Sequence, residues 1–215
     1  MKAYRNIQIH TEGSYLRTTN LSPLTGYDVK ILNQGNNQDC MRFLKYFIDY
    51  CIDYKPQIKP DQTISYYSWL VKLINSSTAV LTIQEAKDNG EGFTEGISYA
   101  SKVIREQEEI CRIYDVSPVF PQFSQNIVIS KGVYEGLGID AVRYSSPEHL
   151  TGWWLTTDLY DDNTDSLMNV HYFHIAFKRP DLLKYFALPC GFRLYITDTA
   201  EDIWFDENVC CELET

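Results

Sequence analysis

Gly152-Trp153-Trp154-Leu155-Thr156-Thr157, followed at once by Asp158, sets two of the largest apolar side chains among β-favouring neighbours. This pattern predicts a strand that leaves a hydrophobic core for an acidic loop, with Trp153 and one of its neighbours packed inside. The loop, Asp158 to Ser166, carries Asp158, Asp161, Asp162 and Asp165. A polar loop directly after a core strand can present carboxylates without disturbing the packing behind it.

Working outward, Asn126 to Ser130 and Asp140 to Tyr144 read as strands before the tryptophan pair. After the acidic loop, Val170 to about Phe177 reads as a helix, which Pro180 breaks or restarts because proline is tolerated only in the first helical turn. Pro189 and Gly191 close the next helical stretch, Phe192 to Thr197 and Ile203 to Phe205 read as strands, and Thr199 to Asp202 as the turn between them. Upstream, Ile7 to His10 and Tyr15 to Thr19 suggest a hairpin. Cys40, Phe43, Leu44, Phe47, Ile48, Cys51 and Ile52 recur at helical spacing, giving an amphipathic helix stopped by Pro56. Thr63 to Ile74 and Thr78 to Ile83 suggest a second hairpin, interrupted at Asn75-Ser76-Ser77. A long helix follows Asp88-Asn89-Gly90, with Phe93, Ile97, Ala100, Ile104 and Cys111 near one face and Glu108 set to pair with Arg112, ending near Asp115.

The stiff segment Ser117-Pro118-Val119-Phe120-Pro121 is the expected domain boundary. The fold class is therefore α+β, with two small domains, 1–117 and 118–215, each a mainly antiparallel sheet packed with one or two helices. A chain of 215 residues accommodates this, since domains cluster at about 100 to 150 residues.

Charge is divided unequally between the halves. Residues 1–117 hold 13 Lys and Arg against 14 Asp and Glu, while residues 118–215 hold 6 against 15, so nearly all of the net charge of -10 lies in the C-terminal half. Such a field repels nucleic acid and anionic lipid and attracts a basic partner. The opening residues lack a signal-like apolar core and no run of about 18 apolar residues could span a bilayer, so the expected compartment is the cytoplasm. Cys40, Cys51 and Cys111 fall at apolar positions of helical patterns, which is the pattern of reduced core thiols.

One ordered set of residues goes further. Phe120-Pro121-Gln122-Phe123-Ser124-Gln125, Ile127-Val128-Ile129, Gly152-Trp153-Trp154, Arg179-Pro180-Asp181-Leu182-Leu183-Lys184-Tyr185 and Ala187-Leu188-Pro189-Cys190-Gly191-Phe192 together resemble the bacterial immunity protein 33 family of polymorphic toxin systems. The likeness covers about residues 118–207, and residues 1–117 look like the N-terminal domain that accompanies this module in some members. The resemblance implies a non-enzymatic protein that binds and blocks a cognate toxin. It carries over neither a cofactor nor contact residues, because such families diverge at their toxin-binding surfaces. The acidic residues Asp158, Asp161, Asp162 and Asp165, with Glu201, Asp202, Asp206 and Glu207, are the candidate contacts for a basic toxin surface.

Other chemistries fit these residues less well. His171 and His174 stand at i and i+3, a spacing able to share Zn²⁺ in a metal-dependent hydrolase, but no further ligand cluster completes a site, and a helix with one partly buried and one exposed histidine is expected. Gly136-Leu137-Gly138 lacks the third glycine of a dinucleotide loop, with Ala141 in its place, and reads as a turn. Asp161-Asp162 and Glu201-Asp202 have no adjacent nucleophile or histidine to make them an acid and base pair. Cys210-Cys211, beside Glu212 and Glu214, reads as a frayed tail with no redox role.

Overall fold

A computed structural model describes residues 2–211. The fold is α+β, built on two mixed, mostly antiparallel sheets. The chain divides into two compact units between Lys102 and Val103.

In the N-terminal unit β1 (Lys2–Tyr4), β2 (Ile7–Glu12) and β3 (Tyr15–Thr19) form a meander, and the short helix α1 (Ser22–Thr25) leads into β4 (Asp28–Leu32). Helix α2 (Asn37–Tyr54) then crosses to β5 (Thr63–Tyr66), β6 (Trp69–Ser77), β7 (Val80–Ala86) and β8 (Phe93–Glu95). The sheet order is β1-β2-β3-β4-β7-β6-β5. All neighbours are antiparallel except β4 and β7, and β8 continues along the edge of β7 beyond β4. The helical spacing of α2 is realised for Cys40, Phe43, Leu44, Phe47, Ile48 and Cys51, which are all buried, while Ile52 at the end of the stripe is half-buried. Burial pushes the Cys40 thiol up to about 11 and the Cys51 thiol up to about 12, so both are inert protonated thiols at neutral pH.

Helix α3 (Ser98–Ile113) begins later than its sequence pattern suggested. Phe93 belongs to strand β8, and Arg112 pairs with Glu109 at 2.6 Å, not in the Glu108 spacing. The helix start is fixed by Glu85, a buried carboxylate on β7 that accepts hydrogen bonds from the backbone N–H of Tyr99 at 3.0 Å and Ala100 at 2.7 Å. Burial raises the Glu85 pKa, and these N–H donors oppose the rise. The helix N-terminus thus receives a negative charge where its unpaired donors lie. Glu85→Ala is expected to destabilise the protein by about 1 to 2 kcal/mol, as loss of a capping acceptor does, read by denaturant unfolding of the full chain.

In the C-terminal unit Val103, Ile104 and Cys111 of α3 are buried, and the Gln107 side chain donates to the Leu183 carbonyl at 2.9 Å. The chain continues through β9 (Asn126–Ile129), β10 (Ile139–Arg143), β11 (Leu150–Thr156), a 3-10 turn at Thr164–Ser166 and β12 (Met168–His171). Then follow α4 (Tyr172–Lys178), a 3-10 helix at Pro180–Tyr185, β13 (Phe192–Ile196), β14 (Glu201–Phe205) and α5 (Glu207–Cys211). The order β12-β9-β11-β10-β13-β14 is antiparallel except between β9 and β11. Two corrections to the sequence reading stand out. Val170 and His171 extend a strand, so the helix starts only at Tyr172, and Glu201 and Asp202 begin β14 and are not part of the preceding turn.

The core of this unit sits behind the tryptophan strand. Trp153 is fully buried, packs edge-on against Phe186 and donates from Nε1 to the Phe186 carbonyl at 3.0 Å. Trp154, one residue on, faces the other side and is 36% exposed, so one neighbour in the pair is core and the other surface. Arg143 is the residue that sequence reading passed over. Its guanidinium is buried and donates from Nε to the Thr151 carbonyl and from Nη1 to those of Val119, Phe186 and Leu188. The Gly191 N–H in turn donates to the Arg143 carbonyl at 2.8 Å.

Arg143 therefore joins carbonyls that flank or belong to segments carrying the resemblance: Val119 before Phe120, Thr151 before Gly152, and Phe186 and Leu188 on either side of Ala187. Gly152, at φ 81°, would put a side-chain carbon 2.3 Å from the Tyr144 carbonyl oxygen, and Gly191, at φ 95°, would drive one to 2.3 Å from the Phe205 ring. These two glycine positions serve close packing. Cys111 is buried in the same unit and its thiol is pushed up to about 11.

Candidate functional site

The strand directions put several loops at one end of the second sheet. β11 ends there at Thr156 and β9 at Ile129, β10 begins there at Ile139, and β13 and β14 turn there between Ile196 and Glu201. The loop after β11 accordingly shares an end with Glu201 and Asp202. Asp158, Asp161, Asp162 and Asp165 are all exposed on it. The loop is shaped by its own side chains: Asp161 accepts from the Asn163 N–H, and Asn163 accepts from the Asp165 N–H, capping the 3-10 turn. Leu159, 52% exposed, and Met168, 39% exposed, add apolar surface to the same region.

The other predicted contacts divide. Asp202 is exposed on the edge strand β14. Glu201 pairs with Lys184 at 3.3 Å, and burial together with a hydrogen bond to Glu201 raises the Tyr185 phenol. Asp206 and Glu207 lie at the opposite end of the sheet, after Phe205 pairs with Phe192. Asp206 is occupied by the fold: it accepts from the Asn208 N–H at the start of α5 and holds Arg193 at 2.9 Å, contacts that lower its pKa.

His171 and His174 are both exposed, which corrects the expectation that one is partly buried; His171 ends β12 and His174 sits in α4. Their ring centroids are 6.3 Å apart, and they line a shallow recess of about 320 Å³ with Asn126, Tyr134, Asn169 and Val170. Among the described residues no group of three or more His, Cys, Asp or Glu is placed to hold a metal ion. Gly136 to Gly138 forms a turn before β10, whose loop is held by the buried Arg179 through the Val133 and Leu137 carbonyls, with Asp181 on the other side of the guanidinium. Cys210 lies in α5 with its sulfur 3.1 Å from that of Cys190, so it is not part of a frayed tail; Glu212 and Glu214 lie outside the described residues.

Sequence reading missed a second surface. On the side of the sheet away from Trp153, the pairing aligns Val128, Trp154, Val142, Arg193 and Trp204 in one row across β9, β11, β10, β13 and β14. The adjacent row is Thr156, Asp140, Tyr195 and Asp202. Trp204 and Tyr195 are each 41% exposed. No helix of the described residues is long and apolar enough to cross a membrane.

These features define an α+β module with an acidic end and an aromatic open sheet face. Residues 106–206, in the C-terminal half of the chain, match the family model described as the Imm33-like domain, and this half is similar to that family. No curated protein and no solved structure matches the chain.

Proposed function

We propose that the protein is an immunity protein that neutralises a cognate bacterial toxin by direct contact in the cytoplasm, without catalysis and without a cofactor. The observation that carries this reading is the Imm33-like match over residues 106–206. The charge asymmetry agrees with it, since residues 118–215 hold 6 basic and 15 acidic residues, a field that draws in a basic protein and turns away nucleic acid. The toxin-binding domain is the C-terminal one, with residues 1–117 accompanying it. Asp158, Asp161, Asp162 and Asp165 steer the approach, helped by Asp202, from the exposed end of the sheet. Nothing among the described residues favours the alternative, a metal-dependent hydrolase using His171 and His174.

The test is co-expression of the full chain with the products of the genes beside its own, screened for one that inhibits growth. Growth should be restored and the two proteins should form a stable complex. Changing Asp158, Asp161, Asp162 and Asp165 together to Asn should slow association about tenfold or more at low salt and flatten its salt dependence, because steered encounter rates fall toward the neutral range. The melting temperature should barely move, since these side chains are exposed. An on-rate indifferent to both salt and the four substitutions would remove the loop from the mechanism, and failure of the full chain to restore growth would remove the toxin.

A further inference from the structure

The acidic loop can steer a partner, but exposed charges alone make a weak contact; tight interfaces are anchored by aromatic and arginine side chains at a desolvated centre. The open face of the second sheet has the anchors. Trp154, Tyr195 and Trp204 are 36%, 41% and 41% exposed on one side of the sheet, whose other side is packed core. Trp154 is held edge-on by Tyr144, with ring centroids 5.9 Å apart. Trp154 and Trp204 stand three strand spacings apart in the same cross-strand row, about 14 Å.

Between them, Tyr195 is paired directly with Asp140 on one neighbouring strand and with Asp202 on the other. An exposed aromatic ring with a carboxylate on each side is a chemical complement to a guanidinium or ammonium group, which can lie on the ring while the carboxylates accept its N–H donors. Arg193, in the adjacent row, is held by Asp206 at 2.9 Å, and its charge also bears on Asp140, whose pKa burial raises. The Thr156, Asp140, Tyr195 and Asp202 row also lies at the end of the sheet where the loop of Asp158 to Asp165 begins, so the steering charges and the anchors are contiguous.

We propose that this face, centred on Tyr195 between Asp140 and Asp202 and bounded by Trp154 and Trp204, is the seat of the toxin, receiving an arginine- or lysine-bearing basic surface. The proposal rests on the immunity reading above and adds the place and chemistry of the contact. The charge pattern selects this occupant over a second copy of the chain. Two such faces brought together would oppose Asp140 and Asp202 to the same carboxylates in a protein of net charge -10, whereas a basic surface satisfies them.

The experiment uses the full chain and the purified toxin domain whose growth inhibition the chain relieves. Hydrogen exchange of the complex should show new protection in β10, β11, β13 and β14. Tyr195→Lys, at an exposed position, should weaken binding about thirtyfold or more, the loss expected at an interface hot spot, with an unchanged melting temperature. Trp204→Ser should act in the same direction, and the exchange experiment on the unsubstituted chain stands whether or not that variant folds. If the chain relieves toxicity and binds, but protection falls elsewhere and Tyr195→Lys binds as tightly as the parent, the sheet face is overturned while the immunity reading stands. If no toxin is bound or relieved, both fall together. A dimer of the chain alone in sedimentation, dissociated by Tyr195→Lys, would assign the face to self-association and overturn the proposal.

Discussion

Trp153→Ala is expected to destabilise the C-terminal unit by about 3 to 5 kcal/mol, the cost of truncating a large buried aromatic side chain. The indole is fully buried, meets Phe186 edge-on and lies under the Arg143 guanidinium, 5.8 Å from the ring centroid. Most of the cost is the cavity, because the Phe186 carbonyl that loses the Trp153 donor still accepts from Arg143 at 3.0 Å. Trp154→Ala provides the internal comparison. That side chain projects to the opposite face and is 36% exposed, so its loss should cost about 1 kcal/mol or less. Denaturant unfolding of the full chain, followed by circular dichroism, separates the two. Equal losses from the neighbouring substitutions would contradict the assignment of one tryptophan to the core and the other to the surface. Retained stability in Trp153→Ala together with lost toxin binding would place Trp153 in the interface.

Much of this arrangement is legible in the amino-acid order, for a physical reason that differs from element to element. Helix α2 is readable because Cys40, Phe43, Leu44, Phe47, Ile48 and Cys51 repeat at helical spacing and all six are buried. β11 was readable because a run of Trp, Trp and Leu before a polar loop has few other uses. β12 was not, because Met168 to His171 is an edge strand with little buried surface and therefore no alternation to detect. β4 is harder to read because it is short and its pairing is divided: Lys30 to Leu32 pair with β3, while Asp28 to Lys30 pair in parallel with β7, far along the chain. The acidic loop was visible as composition, but the separation of Glu201 and Asp202 from Asp206 and Glu207 to opposite ends of the sheet depends on the direction of β14. The aromatic face was hidden for the same reason. Trp154, Tyr195 and Trp204 belong to three strands, and only the register brings them to one surface.

Arg143→Met is expected to cost about 3 to 5 kcal/mol, in the range found when a buried charged network is broken from one side. The substitution keeps length and apolar bulk but removes every donor. It leaves the carbonyls of Val119, Thr151, Phe186 and Leu188 without the guanidinium that joins them; Phe186 alone retains the Trp153 indole. Burial pushes the Arg143 pKa down to about 10, so the group remains charged at neutral pH, its charge offset by carbonyl dipoles that converge from three separate segments. An arginine in a strand reads as a surface residue from its sequence neighbours, and its burial follows only from those distant segments. Arg143→Lys distinguishes charge from geometry. An ammonium keeps the charge yet cannot reproduce the planar fork that reaches Thr151 from Nε and the other carbonyls from Nη1. Lysine should therefore recover less than half of the loss in an unfolding titration. Full recovery would show that a point charge suffices there, and a stability unchanged in Arg143→Met would mean that the connector at Val119, the Gly152-Trp153 turn and the Phe186–Leu188 segment hold together without it.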